Sequence, residues 1–191
     1  MGSRRVSRKR LYEIEKQGQA IDIEAAVGIA NAIASATQHR QGQEIITEIA
    51  VDLNSSKGTI IGAAAGDGKA VGEASKVAYV TQLTVAKYGI ITEIRAVLVE
   101  APTTGGANIE LKHIANDAIA TNSAVAGTHV VEDLTTVGQD ISKPYDTHVT
   151  LGQNGTAHYL YITSGAAGAA SQFDTGKLII YIHGFVAPAD L

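Results

Sequence analysis

From Glu44 the chain settles into a period of two. Ile45, Thr47, Ile49, Val51 and Leu53 alternate with a set that contains Glu44, Glu48 and Asp52. A strand with one face buried and one face wet requires this alternation. Similar runs at Gly58–Gly62, Lys76–Val85, Gly89–Glu100, Ala107–Ile114, Thr128–Leu134, Asp146–Leu151, His158–Thr163 and Lys177–Val186 predict further strands. Turn-forming stretches separate them, such as Ala101-Pro102-Thr103-Thr104-Gly105-Gly106 and Gly152-Gln153-Asn154-Gly155-Thr156. Eight or nine short strands without intervening long helices predict a mainly β chain folded as an antiparallel β-sandwich, not a parallel βαβ sheet.

Ahead of Glu44 the pattern differs. Residues 20–37 are rich in Ala and Ile, with partly helical spacing that Gly28 weakens. They read as a short helix or as an extended segment packed on a neighbour. Thr37-Gln38-His39-Arg40-Gln41-Gly42-Gln43 then reads as a polar linker. The expected organisation is an N-terminal arm and Ala-rich linker or helix over residues 1–43, followed by a sandwich over residues 44–191.

Charge sharpens this division. Six of the fifteen Lys and Arg residues fall within the first sixteen positions, as Arg4, Arg5, Arg8, Lys9, Arg10 and Lys16. With Glu13 and Glu15 they give residues 1–16 a net charge of +4, whereas residues 17–191 carry a net of −8. A basic end on an acidic body marks a binding tail. Lys and Arg alone would suit phosphate, but Leu11, Tyr12 and Ile14 interrupt the basic run and supply apolar anchors for a protein surface. The arm therefore reads as a protein-docking segment made of Arg4, Arg5, Arg8, Lys9, Arg10, Leu11, Tyr12, Ile14 and Lys16, and nucleic acid is not the expected partner.

Candidate chemistry is sparse. There are no cysteines, which removes disulfides, thiolate zinc sites and cysteine nucleophiles. Seven Tyr, two Phe and no Trp leave the core to Val, Ile, Leu and Ala. Gly68-Lys69 invites comparison with a phosphate loop, but Ala63 and Ala70 stand where that motif needs Gly and Ser or Thr. His39, His113, His129, His148, His158 and His183 form no metal-ligand spacing. His113 and His183 lie within strands, where an imidazole meets solvent or a cross-strand partner. Glu93, Glu100, Glu110, Glu132 and Asp133 read mostly as a solvated strand face, not as paired catalytic carboxylates. Asn54-Ser55-Ser56 and Asn154-Gly155-Thr156 read as turns, and Gly2 lacks the Ser or Thr at position 6 that myristoylation needs. No catalytic residue, cofactor or metal is expected. No membrane span or signal peptide is expected either, since no apolar run is long enough and acidic residues follow the basic start.

Ala78-Tyr79-Val80-Thr81-Gln82-Leu83-Thr84, Gly89-Ile90-Ile91-Thr92-Glu93-Ile94 and the run from Val99 to Leu111 resemble structural proteins of tailed bacteriophages, especially marine ones. His158-Tyr159-Leu160-Tyr161-Ile162-Thr163 and the run from Thr175 to Phe185 extend the resemblance over about residues 75–186. It implies a jelly-roll-like sandwich made in the host cytoplasm and displayed on the virion as a capsid decoration or cement protein. It also implies the major capsid protein as partner and assembly as a homo-oligomer, a trimer above all. The alternative under the same resemblance is a tail or fibre module that recognises carbohydrate or a host receptor. Exposed aromatics would serve such a module, and Tyr79, Tyr159 and Tyr161 are placed in strands, where core packing is the simpler use.

Overall fold

A computed structural model describes residues 19–21, 23, 25, 29, 33–54, 60–61, 68–103, 108–135, 138, 140–144, 157–164 and 173–186. The elements run in the order β1 (Gln19–Ala20), β2 (Ile33–Gln41), β3 (Glu44–Asp52), β4 (Ile60–Ile61), β5 (Lys69–Ala70), β6 (Gly72–Glu73) and β7 (Tyr79–Leu83). They continue with a short helix α1 (Val85–Tyr88), then β8 (Ile90–Thr103), β9 (Ile109–Ile114), β10 (Thr128–Leu134), β11 (Asp140–Pro144), β12 (His158–Ser164) and β13 (Thr175–Phe185). One sheet has the order β1-β2-β3-β13-β8-β11. The other has the order β10-β9-β12-β5, with β7 also paired to β12, and β4 pairs β6 apart from both.

The pairings follow a simple rule. Among the eight longer strands from β3 onward, the first pairs the last (β3 with β13) and the second pairs the seventh (β7 with β12). The third pairs the sixth (β8 with β11) and the fourth pairs the fifth (β9 with β10), all antiparallel. This is one long hairpin of four strand pairs, rolled so that β13 lies beside β8 and β12 beside β9. Successive pairs fall in alternate sheets, which makes the molecule a jelly-roll-like antiparallel β-sandwich. The expected fold class holds.

Inward side chains of both sheets meet in one aliphatic core. Ile49 and Val51 of the first sheet, Leu53 just past the end of β3, and Ile94, Leu98 and Ile180 beside them are buried in the same cluster as Leu83, Leu111, Leu160 and Ile162 of the second. Register fixes which residues take part, because a slip of one position would turn every one of them to the outside.

The polar linker expected at Thr37–Gln43 is instead strand and turn. β2 pairs with β3 from Ile33 to Gln41, and Gly42 (φ 63°) sits at the head of a two-residue loop between Gln41 and Glu44. That is the position a type II′ hairpin turn gives to glycine. The polar composition misleads because β2 has only the two-residue β1 on its other side, so most of its side chains remain partly wet. The Ala-rich stretch also contributes to the core, through Ile23 and Ile29. Of the strand expected at Gly58–Gly62, Ile60–Ile61 is a strand. The strand expected at Asp146–Leu151 lies outside the described residues, and Asp140–Pro144 forms the edge strand β11.

α1 joins the two sheets at one end of the sandwich. The Thr84 side chain caps it by accepting from the Lys87 N–H, and Gly89 ends it with φ 67°. Two glycines permit its close approach to β13. A Cβ on Gly89 would lie 2.1 Å from the Phe185 carbonyl oxygen, and one on Gly184 would lie 1.9 Å from that of Tyr88. The fully buried Tyr88 donates its hydroxyl to Thr81 Oγ1 at 2.7 Å, and Thr81 donates in turn to the Ile23 carbonyl at 2.9 Å.

Candidate docking surface

The sandwich has two outer faces, and register decides what each displays. On the six-stranded sheet, Ile46, Ala50, Val97 and Ile179 point outward and are only half-buried. Two bulges in β8 enlarge this apolar display. Lys177 opposes Glu100 while Leu178 opposes Leu98, so Val99 is the extra residue and stands 46% exposed. At the other end the register shifts between His183 and Gly184, which leaves Phe185 opposite Ile90, 44% and 37% exposed. Ile90, Val99 and Phe185 are the exposed large hydrophobics of the described residues, and all three belong to this sheet.

Polar groups break the apolar ground into an acidic pattern. Register places Glu44, Glu48, Glu93 and Glu100 outward and partly exposed, with Asp52 on the same side but buried, against Arg95 and Lys177 among the described side chains. Lys177 is matched by Glu100, with Nζ 2.6 Å from Oε2. That bond raises the Lys177 pKa above its ordinary value, yet both groups are exposed and the pair adds little stability. Arg95 lies over the Tyr181 ring, 5.3 Å from its centroid. His183 Nδ1 approaches Glu44 Oε1 at 3.4 Å, the cross-strand partner anticipated for a strand histidine.

The outer face of the other sheet is closed by the chain itself. β5 lies in this sheet beside β12, and residues 118–125 fold against the face, held by bridges between Lys69 and Ala124 and between Val77 and Ala120. Beneath them Tyr161 packs with Ala70, Ala78, Ile119 and Val125. Its hydroxyl donates to the Asn116 carbonyl at 2.6 Å, and burial pushes its pKa up to about 12. Glu110 and Lys112 are buried on the same face, 3.6 Å apart. A solvated face therefore does not account for Glu110, which is buried. Tyr79 and Tyr159 are half-buried at the margin, with ring centroids 5.0 Å apart.

His113 and His158 form the other paired titratable group. Their Nδ1 atoms are 2.9 Å apart and their ring centroids 5.0 Å, so the two nitrogens point almost straight at one another. One neutral imidazole donates and the other accepts. Burial first, and then the nearby His158, lowers the His113 pKa to about 4, and burial also lowers that of His158. Among the described residues, no group of three or more His, Cys, Asp or Glu could hold a metal ion. Gly68 and Lys69 lead into β5, not into a helix, so the strand–loop–helix setting of a phosphate loop is missing there.

Arg4, Arg5, Arg8, Lys9, Arg10, Leu11, Tyr12, Ile14 and Lys16 lie outside the described residues. The half-exposed sheet face was not found by reading the sequence. Its signal was present in β3, where Ile46 and Ala50 stand at outward positions of the alternation. No helix among the described residues is long and apolar enough to cross a membrane. No family model, no curated protein and no solved structure matches the chain.

Proposed function

We propose that this chain is a virion structural protein, a capsid decoration or cement protein that binds the head of a tailed phage through its N-terminal arm and stabilises it. The observation that carries this reading is the segregation of charge, +4 in residues 1–16 against −8 in the remainder. An acidic body keeps free copies apart while a basic arm with apolar anchors seeks an acidic protein surface. Many such contacts on a symmetric shell reinforce one another, so no single contact has to be strong. The rolled-hairpin topology supports the reading by analogy of fold alone, since viral capsid domains and lectins both use it.

The partner in this reading is the major capsid protein, and the protein assembles as a homo-oligomer, a trimer above all. The test is deletion of residues 1–16 followed by co-sedimentation with purified particles. The truncated protein is expected to keep its cooperative melting transition and to remain in the supernatant. Binding undiminished by the deletion overturns the arm's role.

A second reading is a tail or fibre module for carbohydrate, favoured by the half-buried Tyr79–Tyr159 pair at the margin of the second sheet. A glycan array without signal at high protein concentration removes it.

A further inference from the structure

We propose that the outer face of the six-stranded sheet is the docking surface for residues 1–16 of a second copy of this chain. The inference rests on reading those residues as a protein-docking arm, and it names an acceptor for them on the chain itself.

The face calls for an occupant. Phe185 and Ile90 at one end and Val99 at the other are the exposed large hydrophobics of the described residues, with Ile46, Val97 and Ile179 half-buried between them. Its charge selects among occupants. Among the described side chains, four carboxylates that reach solvent (Glu44, Glu48, Glu93 and Glu100) stand against Arg95 and Lys177, so an identical face brought against it meets like charge. A basic, partly apolar segment meets opposite charge and apolar ground together. Residues 1–16 have this composition, with six Lys and Arg among Val6, Leu11, Tyr12 and Ile14. Length is sufficient as well. Sixteen extended residues span about 50 Å, and six strands side by side span roughly 24 Å.

The direction of β1 selects a neighbouring copy over the chain's own face. Gln19 opposes Gln38 and Ala20 opposes Thr37, so the N-terminal end of β1 is aimed along β2 toward the Gln41 end of the sheet. A chain continuing on that line runs past the rim of its own sandwich. Copies linked this way would form a clasped set on a shell, each giving an arm and receiving one.

The test uses the full-length protein alone, in sedimentation velocity at low and moderate salt. One variant reverses the arm (Arg8→Glu, Lys9→Glu, Arg10→Glu) and another reverses the face (Glu48→Lys, Glu93→Lys). The parent protein is expected to self-associate, and added salt is expected to weaken the association. Each variant alone is expected to weaken it by at least about tenfold, because charge reversal turns attraction into like-charge repulsion. An equimolar mixture of the two is expected to recover it, because the acidic arm of one then meets the basic face of the other. Circular dichroism confirms that each variant is folded, and Glu48→Lys alone replaces the face variant if the pair is not.

Three results overturn the proposal: a monomeric parent, variants that associate like the parent, or a mixture that recovers nothing. Particle binding separates this proposal from the functional reading. A parent that is monomeric in solution but needs residues 1–16 to bind particles loses only the clasp. One that clasps as described but never co-sediments with particles loses the decoration role instead.

Discussion

The two sheets share one core but treat their outer faces in opposite ways. The second sheet is roofed by residues 118–125, with Tyr161 packed against Ile119 and Val125, and Glu110 and Lys112 are buried on the same face. The six-stranded sheet leaves Ile90, Val99 and Phe185 in water. A roofed face converts its apolar area into folding stability. A bare one leaves that area for association, which is how an apolar patch on a soluble domain is usually explained. Substitutions on the two faces should therefore separate into losses of stability and losses of assembly.

The largest loss is expected under the roof. Tyr161→Ala removes a fully buried ring and its bond to the Asn116 carbonyl, and should cost about 3–5 kcal/mol in urea unfolding. Tyr161→Phe, which keeps the ring, should cost about 1 kcal/mol. A cost below that for the alanine variant would mean that the roof is loosely seated and the contrast between the faces is weaker than drawn.

Glu110→Ala comes next, at about 3 kcal/mol, because it takes away the carboxylate that lies 3.6 Å from the buried Lys112 ammonium. Replacing both, Glu110→Leu with Lys112→Met, should restore most of that loss, since paired burial of charge adds little net stability. If the double variant is as damaged as the single one, the pair is holding the roof in register and is more than an ion pair.

The His113–His158 contact should give a smaller effect, visible only in acid. Both folded-state pKa values lie below the ordinary histidine value, so the unfolded chain binds more protons between about pH 6.5 and about pH 4. The contribution is complete above pH 6.5 and is lost as the pH falls toward 4. His113→Gln should therefore flatten the fall of Tm across that window relative to the parent, with little change at pH 7.5. Parallel Tm curves for the two proteins would show that the pair does not set the acid response.

Much of this architecture was legible in the sequence, for reasons visible in particular strands. β10 runs from Thr128 to Leu134 as the pattern indicates, and β12 and β13 come within two residues of their expected limits. β2 was hidden because an outer strand beside only a two-residue β1 has no need of a clean apolar alternation. The roof was hidden for a different reason. Residues 118–125 form isolated bridges and single hydrogen bonds with residues 68–78, and such contacts have no periodicity to read. Glu110 looked solvated because an alternating pattern reports which face a residue takes, while burial of that face depends on a segment elsewhere in the chain. The docking residues were legible as composition only, since +4 in sixteen positions says what the arm seeks and not where it binds.

The smallest expected stability change carries the comparison furthest. Phe185→Ser and Val99→Thr alter side chains already 44% and 46% exposed, so each should change the unfolding free energy by less than about 0.5 kcal/mol. If the bare face serves association, the same changes should weaken self-association far more than they weaken the fold. Phe185 should matter more, because an aromatic ring supplies the larger anchor and pairs with Ile90 across the strands. Unfolding curves and sedimentation on the same samples give both quantities. A loss of stability comparable to that of Tyr161→Phe, with self-association unchanged, would make this face a poorly covered part of the core, and the contrast between the two faces would be one of degree.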